Sequence, residues 1–277
     1  MRMSRRMGLL GAKSGVSHIL NENEWDVISA VSTDGEGENY WSVGDCKEII
    51  LDGTVGHLTL SNFTTCAFII GFNHNANVEG SGRIHFQLAK TALSGGTDVA
   101  LCDSEYFGSL LTTTGYFSMN SSMTSDLGWK GSKMRSNICG TSLTSYSGTI
   151  IAVIPEALRA VLKSVTKYTC NTGGSTAASA VTETTDYFFL LSEYEVFGSV
   201  THGNTNEASY QAQYAYYSAG NSKIKYNHSA TSTAVKWYLR SPKMSSSAYY
   251  FVRVDANGTA GYASANYSLG FAPGFCV

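Results

Sequence analysis

Three side chains that could ligate a metal ion occur close together in the sequence, at His74, Glu79 and His85. Zinc and similar ions take imidazole and carboxylate ligands at recurring spacings. The segment GFNHNANVEGSGRIHF, which contains the three residues, matches none of these spacings and is interrupted by Asn and Gly. Polar side chains in such segments commonly hydrogen-bond nearby backbone groups. We therefore predict a structured loop in which His74 and Asn75 bond the backbone, with no metal and no cofactor.

Cysteine and serine nucleophiles are present, but no motif places them for catalysis. Ser142, in GTSLT, lacks the glycine two places later that a nucleophile elbow requires. A phosphate-binding loop, HExxH and a paired-carboxylate signature are also missing from the sequence. We predict a protein that is not an enzyme. We also predict buried free thiols, because the cysteines are dispersed without a CxxC pair, at Cys46, Cys66, Cys102, Cys139, Cys170 and Cys276.

Residues 255–258, Asp-Ala-Asn-Gly, could begin a calcium loop or form a hairpin turn. The third acidic ligand and the closing Glu of a calcium loop are missing. Residues 248–254 and 259–265 on either side are rich in aromatic, β-branched and small residues. The pattern therefore predicts a β-hairpin that turns at these four residues.

The composition around this hairpin is that of a binding surface. Twenty of the thirty residues from Ser241 to Gly270 are Tyr, Ser, Asn, Gly or Ala, and only Lys243, Arg253 and Asp255 are charged. Tyr provides a broad amphipathic contact at a low entropic cost, while Ser, Asn and Gly adapt their hydrogen bonds to a ligand. The flanking segments WYLRSP and LGFAPGFCV are mainly apolar and aromatic, which predicts buried strands that hold the surface in place.

The order of these segments, WYLRSP, a polar Tyr-rich stretch and a terminal LGFAPGFCV, resembles the C-type-lectin-fold variable proteins of diversity-generating retroelements. The resemblance is to the group encoded by phages of gut bacteria, and it extends over most of the chain. It includes the blocks EWDVISAVS, NYWSVGDCKEIILDG, FIIGFNHNANVEGSGRIHF, YFSMN and GWKGSKMR. The resemblance implies an α+β, C-type-lectin-like (formylglycine-generating-enzyme-like) fold with long loop insertions. It also implies a variable display region at residues 238–268.

The function that this resemblance implies is attachment of a phage virion to its host through a hypervariable ligand-binding surface. Two alternatives remain open, a purely structural virion protein and an enzyme of the formylglycine-generating type. That enzyme needs neighbouring cysteines, whereas the tail has only Cys276, in an apolar segment. A calcium-dependent lectin is disfavoured because the Glu-Pro-Asn, Gln-Pro-Asp and Trp-Asn-Asp triplets are missing.

Strand alternation assigns a role to each residue of the tail. We predict that Tyr249, Phe251, Arg253 and Asp255 share an exposed face and that Tyr250, Val252 and Val254 share a buried one. The predicted ligand-binding residues are Tyr238, Ser245, Ser246, Ser247, Tyr249, Arg253, Asp255, Asn257, Thr259, Tyr262, Ser264, Asn266 and Tyr267. The predicted scaffold residues are Trp237, Leu239, Arg240, Pro242, Leu269, Phe271, Pro273 and Phe275.

Charge and the first residues bound the partners and the location. Charged residues are 14% of the 277, against roughly 25% in an average soluble protein, and the net charge is −2. We therefore expect neither nucleic-acid binding nor membrane insertion. The apolar run at residues 7–12 is too short for a signal peptide. We predict an arm at residues 1–23 that is either a docking segment or disordered, a C-type-lectin-like domain at residues 24–277, and a place on the virion surface. The expected partners are a bacterial cell-surface molecule, other virion proteins bound through the arm, and further copies of the chain, with a trimer favoured.

The remaining segments predict the elements that position the tail. Residues 24–32 and 155–167 have the apolar spacing of helices, and a helix that ends at Gly220 is expected in the Tyr-rich segment before it. EIIL, HLTL and FTTCAFIIGF predict strands separated by turns at LDG and TVG. Trp129 and Met134 are predicted to lie in the core.

Overall fold

The structure is a computed structural model, and it describes residues 15–102, 117–245 and 247–277. Within these ranges the helices are α1 (Trp25–Thr33), α2 (Gly37–Tyr40), α3 (Ala76–Glu79), α4 (Ile150–Val153), α5 (Glu156–Arg159), α6 (Glu193–Phe197) and α7 (Ala215–Ser218). The strands are β1 (Cys46–Val55), β2 (Leu58–Phe72), β3 (Ile84–Lys90), β4 (Val99–Ala100), β5 (Val165–Cys170), β6 (Val181–Asp186), β7 (Phe188–Phe189), β8 (Lys225–Asn227), β9 (Ala230–Val235), β10 (Trp237–Pro242), β11 (Tyr250–Val254), β12 (Ala260–Ser264) and β13 (Gly274–Cys276). The architecture mixes helices and sheets, is mostly antiparallel β, and agrees with the predicted α+β class.

The largest sheet has five strands in the order β1-β2-β3-β13-β7, and all of its neighbours are antiparallel. The last strand of the chain, β13, therefore lies between two earlier strands. α1 covers this region, and the ring of Trp25 meets those of Phe86 and Phe275 edge-on, with centroids 5.5 and 6.2 Å away. The predicted helix at residues 24–32 is confirmed as α1.

The strands predicted from EIIL, HLTL and FTTCAFIIGF are present as two long strands, β1 and β2. The predicted turn at TVG is confirmed, since Val55 pairs with Leu58 across it. The predicted turn at LDG is wrong. Leu51 pairs with Phe63 and Gly53 with Leu60, so the strand continues through LDG, and the extra residue of a bulge lies opposite it in β2, where Asn62 has a φ of +46°.

The helix predicted at residues 155–167 is also wrong beyond its first turn. Only Glu156–Arg159 is helical, and the last residues of the predicted helix begin β5, which pairs along its whole length with β6. β-Branched residues and Tyr168 suit a strand, and Lys167 turns inward to buried carboxylates. Tertiary pairing therefore overrides the local helical pattern.

The tail forms a separate three-stranded sheet in the order β10-β11-β12. The two flanking segments meet beside it, because Tyr238 N–H donates to the Gly270 carbonyl and Gly270 N–H donates to the Lys236 carbonyl. The end of α7 precedes Gly220, whose φ is +84°, as predicted. Trp129 and Met134 are fully buried, so their predicted place in the core is confirmed.

Residues 15–23, the second part of the predicted arm, lie against the domain. Leu20 is buried in the core, the Ser17 carbonyl accepts from Trp41 Nε1 at 3.0 Å, and the Asn23 carbonyl accepts from Lys47 Nζ at 2.6 Å. The predicted arm is therefore restricted to residues 1–14, which lie outside the described residues. Among the helices that the structure describes, none is long and apolar enough to cross a lipid bilayer.

Candidate ligand-binding surface

The predicted hairpin is formed by β11, the turn at residues 255–259 and β12, and we call residues 250–264 the display hairpin. Asp255 N–H donates to the Thr259 carbonyl, and Gly258 N–H donates to the Asp255 carbonyl, both at 2.8 Å. Gly258 has a φ of +84°, a conformation that glycine adopts without strain. The side chain of Asn257 accepts from both Thr259 N and Thr259 Oγ1. The sequence therefore predicted this turn correctly.

Most of the predicted ligand-binding residues are accessible. Tyr249 and Tyr262 are each 42% exposed, and Asn257 and Thr259 are also exposed. The half-buried members of the set are Ser245, Ser247, Arg253, Asp255, Asn266 and Tyr267. Ser246 lies outside the described residues. Ligand binding by these residues stays a prediction.

Tyr238 and Ser264 are corrections to the predicted surface, because both are buried. The Tyr238 hydroxyl donates to the carbonyls of Ser264, at 2.5 Å, and Tyr267, at 3.2 Å. It thereby ties β10 to the end of the display hairpin. Tyr238 therefore belongs with the scaffold.

The predicted division of the hairpin into two faces is also wrong in part. Tyr262 pairs with Val252 and Ser264 with Tyr250, so Tyr250, Val252 and Tyr262 share one face, while Arg253 lies on the other, opposite Gly261. Phe251, predicted on the exposed face, is fully buried. β11 is the central strand of its sheet and is covered on both sides, so the simple alternation of buried and exposed residues fails there. The predicted ligand-binding residues of the hairpin are therefore divided between two faces of the sheet.

A group of neighbouring side chains surrounds Tyr250 and Tyr262, and we call it the tyrosine cluster: Tyr249, Tyr250, Tyr262, His202 and Lys243. The ring of Tyr250 meets those of Tyr249 and Tyr262 edge-on, at 6.1 and 5.4 Å between centroids. The His202 ring lies 5.4 Å from that of Tyr262, and Lys243 Nζ lies 4.4 Å above the same ring. A cation above a Tyr face is attracted by the ring quadrupole. The composition of the tail indicated its tyrosines, but no sequence signal indicated His202.

Buried Glu193 fixes the loop that carries His202 through hydrogen bonds to its backbone. Its buried carboxylate accepts from the backbone N–H groups of Thr201, His202 and Gly203, at 2.7 to 3.1 Å. The His202 carbonyl in turn accepts from Met244 N–H at 2.8 Å, next to Lys243. Glu193 therefore fixes the loop at residues 201–203, and the His202 carbonyl joins this loop to the start of the tail. Hydrogen bonds to a carboxylate are stronger than those between neutral groups.

The predicted scaffold is buried throughout. All eight residues have little or no exposed surface: Trp237, Leu239, Arg240, Pro242, Leu269, Phe271, Pro273 and Phe275. The Trp237 indole N–H donates to the Lys223 carbonyl at 3.0 Å. The predicted burial of the scaffold is confirmed.

Arg240 connects the scaffold to a buried ionic network. Its guanidinium forms a bidentate pair with Glu195, at 2.5 and 2.9 Å, and Nε donates to Thr169 Oγ1 at 2.8 Å. Lys167 Nζ bridges Glu195 at 2.9 Å and Glu79 at 2.6 Å. Two cations balance two carboxylates, and all four side chains are buried. The network joins β10, α6, β5 and α3 beneath the display hairpin.

The residues first considered as metal ligands lie at this network. His74, Glu79 and Glu195 have ligand atoms within 4.8 Å of one another, so they could surround a cation. The Lys167 ammonium already bridges the two carboxylates, and a metal ion would have to displace it. Burial lowers the pKa of His74 to about 3, and its ring stacks on that of Tyr214 with centroids 3.7 Å apart. Asn75 Nδ2 donates to the Tyr210 carbonyl, as predicted for a structured loop.

All six cysteines are buried thiols outside any disulfide, as predicted. Burial raises the pKa of the Cys46 thiol to about 12 and that of the Cys66 thiol to about 11. Cys276 Sγ lies 3.3 Å from His85 Nδ1, but both side chains are fully buried. The thiolate is the nucleophilic form of cysteine, and burial disfavours it. These thiols act as small apolar side chains of the core.

Comparison with known proteins identifies a family. A family model described as a domain of unknown function (DUF6273) matches residues 108–277, more than half of the chain, including the tail and its scaffold. No curated protein and no solved structure matches.

Proposed function

Because the chain belongs to the family described as a domain of unknown function (DUF6273), we propose its function from the candidate surface: it is a binding protein that presents the tyrosine cluster to a ligand. The ligand is a molecule of a bacterial cell surface, and the protein is a receptor-binding component of a phage virion. The resemblance of the sequence blocks to variable proteins of diversity-generating retroelements supports the virion assignment and a C-type-lectin-like fold.

The observation that carries this proposal is the contrast between the tyrosine cluster and the layer beneath it. Tyr249 and Tyr262 are each 42% exposed, although aromatic rings of this size are usually more buried. In β11, Phe251 on the opposite face and Val252 and Val254 beside Tyr262 are fully buried. Exposed tyrosines on a rigid support lose little conformational freedom on binding, which favours affinity.

The chemistry of the cluster suits a ligand with both apolar and polar or anionic groups. The tyrosine rings offer apolar faces, and their hydroxyls offer donors and acceptors. Lys243 contributes a cation that contacts Tyr250 and Tyr262 through their rings. Arg253, on the opposite face, is already paired with Asp255 at 2.8 Å. We therefore place the main contact on the face that carries Tyr262 and Lys243.

The proposal predicts that binding to cells depends on the two exposed tyrosines. Fluorescently labelled protein would be tested by flow cytometry against a panel of gut-bacterial isolates. Hot spots favour Tyr and lose at least about 2 kcal/mol on truncation, so Tyr249→Ser/Tyr262→Ser is expected to weaken binding by about thirtyfold or more. The melting temperature of the variant should stay close to that of the unaltered protein, because both side chains are exposed and lie outside the buried core.

The matched control is Tyr210→Ser, which removes an exposed tyrosine that stacks on Tyr168, away from the hairpin. This variant should bind as the unaltered protein does. Equal binding by Tyr249→Ser/Tyr262→Ser would move the ligand site elsewhere. Failure of the unaltered protein to bind any isolate would favour the alternative of a purely structural virion protein.

A further inference from the structure

The edge strand of the largest sheet has an unusual outward face. β1 is the first strand in the order β1-β2-β3-β13-β7. Glu48, Ile50 and Asp52 alternate with buried residues and are all exposed, and Ile50 is 48% exposed. Exposed edge strands of natural proteins are often protected by charges, but an isoleucine between two carboxylates also provides an apolar contact point.

This face forms one side of an open groove with a volume of about 450 Å³. Apolar lining comes from Ile50, Val153, Ile154, Pro155 and Ala157, and the residues of α5 and the preceding segment form its other side. The groove lies on the β1 edge, whereas the display hairpin belongs to a different sheet. We call it the β1 groove.

The rim of the β1 groove is acidic. Glu24, Glu48 and Asp52 line it and are exposed. The lysine in its lining, Lys47, is buried, and its Nζ donates to the Asn23 carbonyl at 2.6 Å. The ion pairs found among the described residues lie elsewhere in the protein. The rim therefore presents three carboxylates to a partner.

The chain itself contains a segment of complementary chemistry. Residues 1–14, MRMSRRMGLLGAKS, contain four cations and no carboxylate, with Met7, Leu9 and Leu10 among them. The whole chain has 19 cations and 21 carboxylates, so residues 15–277 have 15 cations, 21 carboxylates and a net charge of −6. A segment of charge +4 with apolar residues matches an acidic groove with an apolar floor.

We propose that the β1 groove binds residues 1–14 of a second copy of the chain. The course of residues 15–24 favours a second copy over the same one. Asn21 and Asn23 contact Glu48 and Lys47 beside the groove, while Ser17 contacts Trp41, beyond the start of β1. Traced backward, the chain moves away from its own groove. Because the arm and the groove are different surfaces, the contact is heterologous, and repeating it generates either a closed ring, such as a trimer, or an open filament.

The test is analytical ultracentrifugation of the full chain with charge reversals on either side of the contact. The arm variant is Arg2→Glu/Arg5→Glu/Arg6→Glu, and the groove variant is Glu24→Lys/Glu48→Lys. The unaltered chain is expected to form an oligomer, and each variant should weaken its self-association by about tenfold or more, since like charges then face each other. The combined variant, with both sides reversed, should assemble again.

The matched control is Glu38→Lys/Glu183→Lys, which changes the net charge as the groove variant does but at exposed sites outside the groove. It should assemble as the unaltered chain does. The arm variant alters none of the described residues, so it tests the proposal even where the groove variant fails to fold. A monomeric unaltered chain at all concentrations, or an arm variant that assembles normally, would overturn the proposal. Failure of the combined variant to recover assembly would show that the two surfaces do not meet.

Discussion

Lys167 and Arg240 form ion pairs with buried carboxyl groups in the interior of the protein. Burying an ionised side chain is costly unless it is paired and hydrogen-bonded, and both cations satisfy this condition. Lys167 Nζ has three oxygen partners, on Glu79, Glu195 and the Tyr214 hydroxyl. A metal ion at these carboxylates would have to displace the ammonium, and burial lowers the pKa of the neighbouring His74 and His85 so that both rings are neutral.

His74 gives the network a defined response to acid. Burial first, and then the charge of Lys167, lower its pKa to about 3, from an ordinary value near 6.5. Between these values the unfolded chain takes up a proton that the folded chain does not, so stability falls as the pH falls from about 6.5 to about 3. Glu79 opposes this over part of the window. Burial raises its pKa to about 7, so the folded chain binds a proton first and gains stability as the pH falls from about 7 to about 4.5.

We therefore expect the net loss of stability to become steep below about pH 4.5, where the contribution of Glu79 is complete. Urea unfolding at pH 6.5, 4.5 and 3.2 would measure it. Between pH 4.5 and 3.2 the free energy of unfolding should fall less for His74→Gln than for the unaltered protein. The difference should be about 1 kcal/mol per pH unit. The control is His57→Gln, which makes the same substitution at an exposed position outside the network. An identical slope for His74→Gln would contradict the assignment.

At the residue scale, composition predicted the site better than periodicity did. The tail was identified by its tyrosines and serines, and the buried residues that flank it were identified by their apolar character. Tyr238 was placed on the surface because a tyrosine next to a polar segment has the same local signature whether its hydroxyl meets water or two backbone carbonyls. Only the pairing of β10, β11 and β12 distinguishes these cases.

At the scale of elements, β10 is the strand that joins the display sheet to the rest of the fold. Arg240 N–H donates to the Leu191 carbonyl, and its side chain reaches Glu195 of α6 and Thr169 of β5. α6 is itself fixed by a capping box, in which Ser192 Oγ accepts from Glu195 N–H and Glu195 accepts from Ser192 N–H. One glutamate therefore serves both the helix end and the strand.

This arrangement predicts strong coupling between Arg240 and Glu195. Removing one member leaves a buried charge without its partner, so Arg240→Met and Glu195→Met should each lower the free energy of unfolding by about 3 to 5 kcal/mol. The double variant removes both charges of the pair together and leaves Lys167 bonded to Glu79, so its loss should be well below the sum of the two. Urea unfolding of the four proteins in a double-mutant cycle would measure the coupling.

Arg253→Met is the matched control, because Arg253 forms an accessible pair with Asp255 at the same kind of distance. Partly exposed pairs contribute at most about 1 kcal/mol, so its loss should be small. Additive losses for Arg240 and Glu195 would show that the pair does not act as a unit.

Element prediction failed where tertiary pairing decides the backbone. The segment at residues 155–167 has the apolar spacing and charge distribution of a helix, yet its last residues pair with β6, more than ten residues further along the chain. In the sequence, Lys167 has the position of a favourable positive charge at a helix C-terminus. In the fold, its buried ammonium pairs with the carboxylates of Glu79 and Glu195. The hairpin at residues 250–264 was predicted correctly because its turn chemistry is local.

At the scale of the whole molecule, two surfaces on different sheets have different chemistry. The tyrosine cluster presents exposed rings, and the close ion pair of the display hairpin, between Arg253 and Asp255, is internal to it. The β1 groove is apolar and acidic, at the edge of the largest sheet. We infer that the two surfaces bind different partners. The hairpin binds the external ligand, and the groove binds another copy of the chain.

The central claim is that the side chains of the tyrosine cluster and hairpin turn serve ligand binding, while the layer behind them serves folding. A scan of all single substitutions at residues 237–277 tests it most directly when each variant is scored both for protease resistance and for binding to the bacterial isolate that the unaltered protein recognises. We predict that Tyr249, Tyr262 and Lys243 lose binding while they keep protease resistance, and that Trp237, Tyr238 and Arg240 lose both. Binding that survives every substitution at the cluster, or a cluster as intolerant of change in folding as Trp237, would contradict the account.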